Sequence, residues 1–326
     1  MSKRWIFVSA AAACLLAAVL SLCLGAVPLS LEQLWHALTE GPKSTAGYIL
    51  WYARLPRTAA CLLAGAALAA SGCILQRMLG SSLASPGIIG VNAGAGLGVT
   101  LCCALGGLSG WAFSLSAFGG AVLAVLTVAL LTWQRGTSRT TVILAGVALN
   151  SILSALRDAL TTMIPETAML TGEFRVGGFS SVVSARLIPA AILILSALTV
   201  ALLLCRQLDV LSLGEETARS LGMRVKAVRT VYLLLAAVLA GAAVSFAGLL
   251  GFVGLLVPHM ARRLVGSESR ACIPLSILLG AGLVTVCDLC ARLLFAPHEL
   301  PVGILMAVLG GPFFLVLLLR KGGRHD

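Results

Sequence analysis

The sequence predicts an all-α integral membrane protein, with about ten transmembrane helices in one bundle and both termini in the cytoplasm. Three observations carry this prediction: the composition, a series of long apolar stretches, and the uneven distribution of basic residues. Of the 326 residues, 59% are hydrophobic and only 11% are charged, and the mean hydropathy is +1.04. Because about a quarter of the residues in soluble domains are charged, this composition excludes an ordinary soluble protein.

The apolar stretches set the number of predicted helices, since a transmembrane helix needs about 20 mostly apolar residues. The chain has ten such stretches, at residues 5–27, 58–78, 88–107, 112–133, 141–163, 187–205, 230–249, 251–264, 272–291 and 302–319. The eighth is short, rich in glycine and contains Pro258, so nine spans plus a re-entrant segment remain an alternative. No polar linker separates the stretches, which predicts a single transmembrane domain over residues 1–326.

The basic residues predict the orientation, because they concentrate in the short cytoplasmic loops of membrane proteins. With the N-terminus inside, sixteen of the 23 lysines and arginines lie in inner segments. The seven outer ones are Lys43, Arg54, Arg57, Arg157, Arg175, Arg186 and Arg292. This topology accounts for the net charge of +11, so we predict contact with membrane lipid and no nucleic-acid partner.

Motifs for cofactors and catalysis are weak in this chain. Most of the ten cysteines fall in apolar stretches and are predicted to be packing residues. Cys287 and Cys290 have C-x-x-C spacing, but no further cysteine or histidine follows nearby, so no metal site is predicted. The glycines at 94–98 lie in an apolar stretch without a preceding strand, and no Walker A loop is present. We therefore predict no cofactor on this chain and no enzymatic activity of its own.

The most polar internal segment, Asp209–Arg229, has the features of a short capped helix. Ser212 and Glu215 form an S-x-x-E capping box, which predicts that a helix starts near Leu213. Gly222 can adopt the left-handed conformation that ends a helix. The sequence therefore predicts a cytoplasmic helix over about residues 212–222.

The same helix is predicted to be amphipathic, because Leu213, Ala218 and Leu221 fall roughly along one side. Such a helix, in an otherwise apolar protein, favours a docking role. An ordinary surface turn between two spans is the alternative, since short capped helices are common connectors.

Ionisable residues at membrane depth are functional candidates, because each costs a few kcal/mol at the bilayer centre. Asp288 precedes Arg292 by four residues, which predicts an ion pair on one helix face. Arg157 and Asp158 are adjacent and are predicted to point to different sides, one of them towards an aqueous cavity. His259 follows a proline near a helix end, where a polar contact is expected.

Six motifs follow one another along nearly the whole chain. They are Arg54-Leu55-Pro56-Arg57 with residues 63–72 and Gln76; residues 83–87 with Gly90 and Gly94-Ala95; residues 144–149; Leu213-Gly214 with Ala218 and Leu221-Gly222; residues 251–259; and residues 299–303 with Gly310 and Pro312-Phe313. In this order they resemble the FecCD family of ATP-binding-cassette permeases, the membrane subunits of importers for iron siderophores, haem and cobalamin. One motif departs from the family, since its Asn-Pro before Leu83 is Ser81-Ser82 here.

The resemblance implies a homodimer or close heterodimer of permease chains around a central pathway. It also implies two partners: a cytoplasmic ATPase that holds ATP and Mg²⁺, and an extracytoplasmic substrate-binding protein. An iron chelate is the expected cargo, because that is the commonest role in the family.

The resemblance also assigns roles to residues of this chain. The residues expected to couple the chain to the ATPase are Ser212, Leu213, Gly214, Glu215, Ala218, Leu221 and Gly222. Those expected to dock the binding protein are Arg54, Arg57 and Arg292. Snorkelling of these arginines towards lipid headgroups is the alternative. Those expected along the translocation pathway are Leu83, Thr137, Ser138, Asn150 and Ser154.

Two other classes of membrane protein are weighed against an importer permease. An ion- or proton-coupled secondary transporter needs acidic or polar residues near the bilayer midplane, and these are scarce here. A purely structural or assembly protein has no use for a cytoplasmic docking helix. Dependence of uptake on ATP, and capture of an ATPase, distinguish these alternatives.

Overall fold

The protein is described here by a computed structural model, which covers residues 3–25, 30–135, 139–294 and 298–322. Every regular element in these ranges is helical, as the sequence predicts. In chain order the α-helices are α1 Lys3–Cys23, α2 Leu31–Glu40, α3 Thr45–Tyr48, α4 Leu55–Leu79, α5 Val91–Ala104, α6 Gly110–Arg135, α7 Arg139–Met163, α8 Glu166–Leu170, α9 Gly172–Val176, α10 Ser184–Leu203, α11 Cys205–Ser212, α12 Glu215–Ser220, α13 Val225–Ala247, α14 Val253–Val265, α15 Ser269–Leu293 and α16 Val302–Gly322. A π-helical turn, Ile49–Arg54, joins α3 to α4.

Seven helical stretches among the described residues are long and apolar enough to cross a membrane. They are Lys3–Cys23, Thr45–Leu79, Gly110–Thr132, Thr140–Met163, Ser184–Leu203, Val225–Ala247 and Ser269–Leu293. Each of the ten predicted stretches contains a helix, but α5, α14 and the Val302–Leu315 part of α16 are shorter. The 13 residues of α14 rise about 20 Å, less than a hydrocarbon core of about 30 Å. The count of ten full spans therefore stays a prediction.

Helix α4 lies at the centre of the bundle, where it packs against α13, α14 and α15. Its small residues allow this, as the sequence predicts. A Cβ atom on Gly65 would collide with the backbone of Gly280 on α15, and one on Gly72 would collide with that of Gly254 on α14. Because no hydrophobic effect drives helices together in lipid, the van der Waals contact that such close backbone approach allows contributes to their association.

Helix α2, between the first two predicted spans, was not predicted. Ser30 and Gln33 form the capping box that starts it, with the Ser30 hydroxyl accepting from the Gln33 amide and the Gln33 side chain accepting from the Ser30 amide. The helix exposes Trp35, and the following turn exposes Trp51 and Tyr52. Exposed aromatic side chains of this kind are typical of a membrane–water interface.

Helix α7 is the least covered of the long internal helices. It packs mainly against α5 and α6, with the short α8 at its end. Apolar side chains such as Leu144 and Ile152 are therefore exposed, although both lie in the interior of a 25-residue helix. A second chain, lipid or a water-filled pathway is left to cover this helix.

Candidate functional site

The α11–α12 segment, residues 205–222, differs from its predicted structure at its start. Ser212 is the last residue of α11, and its hydroxyl donates back to the Asp209 carbonyl at 2.7 Å. Gly214, with φ of 120°, precedes α12, which begins at Glu215. The predicted capping box between Ser212 and Glu215 is therefore wrong, because a serine inside a helix bonds to the preceding turn instead.

Glu215 instead fixes α12 to a long helix. Its Oε1 accepts from Arg229 Nη2 at 2.5 Å, and its Oε2 lies 3.6 Å from Arg219 Nη2. The Arg229 side chain is only 2% exposed, and none of the described residues offers an acceptor to its Nε or Nη1. Because a buried charge without a partner is very costly, Glu215 is the group that makes Arg229 tolerable in this position.

A second acidic residue fixes α11. Asp209 Oδ1 accepts from Arg77 Nη2 at 2.5 Å, and from the backbone amide and hydroxyl of Ser269 at 2.9 and 2.6 Å. Arg77 lies at the end of α4 and Ser269 begins α15. The α11–α12 segment is thus attached to three long helices by two carboxylates.

The apolar residues of this segment do not share one face. Ala218 is fully buried, whereas Leu213 and Leu221 are each 65% exposed. The predicted apolar side is therefore corrected: one small residue packs inward and two leucines point away from the protein. Gly222 has the predicted left-handed conformation, with φ of 80°. Leu213 and Leu221 thus form a small exposed apolar surface on an anchored segment.

The second polar site is an arginine cluster, defined as Arg54, Arg57, Asp288, Arg292 and Glu299. Arg57 Nη2 lies 3.0 Å from Asp288 Oδ1, and Arg57 Nη1 lies 2.6 Å from Glu299 Oε2. Arg292 Nε lies 3.0 Å from Asp288 Oδ2, which confirms the predicted pair on α15. Asp288 is almost fully buried and is shared by two guanidinium groups.

Two arginines of the cluster, Arg54 and Arg292, bind the C-terminal end of α1. Arg54 Nη1 donates to the carbonyls of Leu22 and Cys23 at 2.6 and 2.8 Å, and Arg292 Nη2 donates to the Ser21 hydroxyl at 2.8 Å. Free carbonyls at a helix C-terminus favour cations, so these contacts stabilise the end of α1.

The three arginines predicted to dock a binding protein are more buried than the prediction of an outer rim requires. The guanidinium groups of Arg54 and Arg292 are buried and face the protein rather than forming an outer rim. Arg57 is mostly buried too, but its partner Glu299 is 45% exposed. Docking of a binding protein by the three arginines stays a prediction, and the Arg57–Glu299 pair is the part of it that reaches the surface.

The predicted pathway residues lie at different places. Leu83 is exposed in the turn between α4 and α5, and Asn150 and Ser154 are half-buried on α7. Thr137 and Ser138 lie outside the described residues. The structure thus brings two of the five together, on one helix.

Arg157 and Asp158 do not point apart as predicted. Arg157 Nη2 lies 2.8 Å from Asp158 Oδ1, so the two adjacent side chains form an ion pair. The long arginine side chain can turn back along the helix surface, which the sequence spacing alone does not indicate.

The cysteines pack as predicted, and six of them, among them Cys61 and Cys73, belong to the apolar core. All ten are free thiols. Within the described ranges, no three His, Cys, Asp or Glu side chains come close enough together to hold a metal ion.

Comparison with known proteins shows the family to which the chain belongs. The model of the FecCD transport family matches residues 13–320. The ferric enterobactin transport system permease protein FepG of Escherichia coli is 37% identical, covering 95% of this chain and 94% of its own length. The hemin transport system permease protein HmuU of Yersinia pestis is 36% identical, covering 91% and 90%, and the vitamin B12 import system permease protein BtuC of Klebsiella pneumoniae is 37% identical, covering 99% and 96%.

Solved structures agree with the sequence comparison. A chain from an inward-facing structure of an ABC transporter, assigned to the metal-chelate type, superposes with a TM-score of 0.88 at 29% identity, covering 97% of this chain and 99% of that one. The structure of PsaBC from Streptococcus pneumoniae shares only the fold, with a TM-score of 0.60 at 20% identity, covering 87% and 94%. Seven membrane-length helices, together with relatives that are named as permeases, indicate a multi-pass membrane protein. With one family model spanning nearly all of its length, this chain belongs to the FecCD transport family.

Proposed function

We propose that this chain is the membrane-spanning permease subunit of an ATP-binding-cassette importer that carries a metal chelate. The cargo is an iron siderophore or a similar chelate, such as haem or cobalamin, since relatives with each of these names match over most of the chain. An extracytoplasmic binding protein delivers the chelate, and a second permease copy completes the pathway. ATP and Mg²⁺ are held by a separate ATPase, so this chain binds no cofactor.

The observation that carries the proposal is the exposure of Leu213 and Leu221 on a segment that is otherwise firmly attached. A partner that pulls on these leucines moves α12, and the Glu215–Arg229 ion pair passes that movement to α13. Asp209 does the same for α4 and α15 through Arg77 and Ser269. Such a linkage is what an ATPase needs to drive helices that it does not itself contact.

The topology belongs to the same proposal. The chain forms one domain of ten spans in the cytoplasmic membrane, with both termini and the α11–α12 segment inside. Ser269 and Asp288 lie near opposite ends of α15, about 30 Å apart along its axis. This separation supports the proposal that the α11–α12 segment and the arginine cluster lie on opposite sides of the membrane.

Uptake in whole cells tests the function. Cells without their own chelate permeases express this chain with its binding protein and ATPase, and receive radioactive ferric enterobactin, a ferric trihydroxamate, haemin or cobalamin. We expect uptake of at least one chelate, and its loss when the Walker A lysine of the ATPase is replaced by alanine. Uptake that survives this replacement but stops with a protonophore would contradict the proposal and support a proton-coupled transporter.

A further inference from the structure

Helices α4 and α15 run antiparallel and meet at three levels that are evenly spaced. Each level lies eight residues from the next along both helices, a rise of about 12 Å. From one end of the pair to the other, the contacts are Arg57–Asp288, Gly65–Gly280 and Cys73–Cys272. The register that closes the arginine cluster therefore also brings two thiols together at the other end of the two helices.

The third level is a contact between two sulfur atoms. Cys73 Sγ lies 3.5 Å from Cys272 Sγ, and both side chains are completely buried. Packing explains one buried thiol, but not a second thiol from another helix at the same level. Among the described residues, no other two thiols are in hydrogen-bond contact. Since a disulfide has an S–S distance of about 2.05 Å, side-chain rotation and a small helix shift of about 1.5 Å in total would join the two sulfur atoms.

The thiol pair lies next to the point where α11 is attached. Arg77 follows Cys73 by one turn on α4. On α15, Ser269 precedes Cys272 by three residues. Because Asp209 binds both Arg77 and Ser269, a displacement of α11 reaches α4 and α15 within about one helical turn of the two sulfur atoms. A bond between these sulfur atoms would tie together the two helices on which Asp209 acts.

This level is also close to the polar end of the bundle. The Arg77 side chain is 15% exposed, and Arg270, two residues before Cys272, is exposed. Helix ends open far more readily than the interior of a packed bundle. Opening of the first turn of α15 is therefore enough to admit a molecule as small as hydrogen peroxide.

We propose that Cys73 and Cys272 are a modification site, which hydrogen peroxide oxidises to a disulfide that locks α4 to α15. One thiolate attacks a peroxide oxygen and the O–O bond breaks, which gives a sulfenic acid and one water. The second thiolate attacks the sulfenic sulfur, the S–S bond forms, and the hydroxyl leaves as a second water. The two thiols give up two electrons, which reduce the peroxide, and their two protons end in the two waters.

The consequence of the disulfide rests on the proposed permease function. In the reduced protein the contact between the two thiols is non-covalent, so α4 and α15 can shift against each other when Asp209 moves. In the oxidised protein the two helices are fixed at both ends, by the Arg57–Asp288 ion pair and by the disulfide. Peroxide is therefore expected to stop uptake, and a dithiol reductant is expected to restore it.

Cross-linking of the purified chain tests the site without any partner. The wild-type protein in lipid nanodiscs is treated with hydrogen peroxide, its remaining thiols are blocked with N-ethylmaleimide in denaturant, and its peptides are analysed by mass spectrometry. We expect one main cross-linked peptide, which joins Cys73 to Cys272 and is absent after reduction with dithiothreitol. The same treatment in sodium dodecyl sulfate should not favour this pair, because only the folded helices hold the two thiols together.

Matched variants identify the pair. In Cys73→Ala and in Cys272→Ala, the remaining thiol should stop at the sulfenic acid, which dimedone traps. Cys287→Ala combined with Cys290→Ala removes the C-x-x-C pair at the other end of α15 and should leave the cross-link unchanged. A main cross-link between other cysteines would overturn the proposal, as would thiols at 73 and 272 that stay reduced while the pair at 287 and 290 oxidises.

Uptake then tests the lock. The wild type and the double variant Cys73→Ala/Cys272→Ala are each reconstituted with the same binding protein and ATPase, so that oxidation of the partners affects both alike. We expect peroxide to lower wild-type uptake severalfold and dithiothreitol to restore it, whereas uptake by the double variant should not respond to either reagent.

The outcomes keep this inference separate from the proposed function. A wild-type chain that forms the disulfide but takes up chelate as fast as its reduced form would overturn the lock. Equal inhibition of the double variant would also overturn it, because the inhibition would then arise elsewhere. If neither reduced protein takes up any chelate, the permease assignment fails, while the cross-linking result still decides whether the thiol pair is a modification site.

Discussion

The two ends of the bundle both contain buried arginines, but they pair them differently. In the arginine cluster, Asp288 is shared by Arg57 and Arg292, and Arg57 has a second carboxylate in Glu299. At the α11–α12 segment, each of the two arginines from the long helices has a carboxylate of its own: Arg77 has Asp209, and Arg229 has Glu215, which also lies 3.6 Å from the exposed Arg219. One end is a shared network and the other is a set of single links.

The difference suits different mechanical roles. When one contact at the edge of a network is broken, the remaining contacts keep α1, α4 and α15 in nearly the same relative positions. The network therefore holds these helices as a unit. A single link transmits the displacement of a short helix to one long helix and has no substitute when it is broken. In the proposed permease, a rigid cluster at one end of the bundle and movable single contacts at the other would suit a protein driven from one face.

The largest effect is expected from Asp288→Asn, because it removes the centre of the network. Two guanidinium groups are then left buried with Glu299 as their sole carboxylate among the described residues. We expect a loss of about 3–5 kcal/mol in stability, the usual cost of breaking a buried ion pair. Thermal unfolding of the purified protein in detergent measures it. Glu299→Gln, which removes only the edge contact, is the control, and equal unfolding temperatures in both variants would show that the cluster is not a shared network.

Leu221→Glu is expected to have the next largest effect, on assembly rather than folding. The side chain is exposed, so the unfolding temperature should hardly change. A charge at the centre of an apolar contact should lower the amount of co-purified ATPase at least about tenfold. Leu105→Glu, an exposed leucine beyond the end of α5, is the matched control. Full recovery of the ATPase with Leu221→Glu would remove the docking role of α12.

Glu215→Gln is expected to loosen the single link between α12 and α13 while leaving the ATPase bound. Hydrogen exchange at residues 215–221 should quicken roughly tenfold to a hundredfold, since a hydrogen bond to a charged group contributes about 1.5–3 kcal/mol. ATP hydrolysis should then continue while uptake falls. Glu216→Gln removes the same charge from the exposed side of the same turn, and it should neither quicken hydrogen exchange nor lower uptake. Normal uptake with quickened hydrogen exchange would mean that the Glu215–Arg229 ion pair does not transmit the movement of α12 to α13.

The smallest effect is expected from Glu299→Gln on docking of an acidic binding protein. Loss of the exposed carboxylate leaves Arg57 Nη1 open to a carboxylate of the partner. Association should become about two- to threefold faster at low salt, with a smaller gain at high salt, because exposed charges act mainly on the rate of encounter. Stopped-flow fluorescence or surface plasmon resonance measures this rate. A slower association would show that Glu299 contacts the binding protein directly.

The amino-acid sequence by itself determined the features that depend on neighbouring residues. Hydropathy predicted the helical class and the place of every long helix, because burial in lipid needs only an uninterrupted apolar stretch. The Asp288–Arg292 pair followed from a spacing of four residues on one helix. The small residues of α4 predicted close backbone contacts, because their effect does not depend on which helix is the partner.

Tertiary structure alone decided which partner each polar side chain takes. Glu215 matches a capping box with Ser212, but the packing of α12 on α13 brings Arg229 closer, and a buried arginine binds a carboxylate more strongly than a free amide does. Ser30 and Gln33, with the same type of spacing, do form the box. Arg57 and Asp288 are 231 residues apart, and only the contact between α4 and α15 makes them a pair. Local sequence specifies the helices, and the order in which those helices pack specifies the electrostatics.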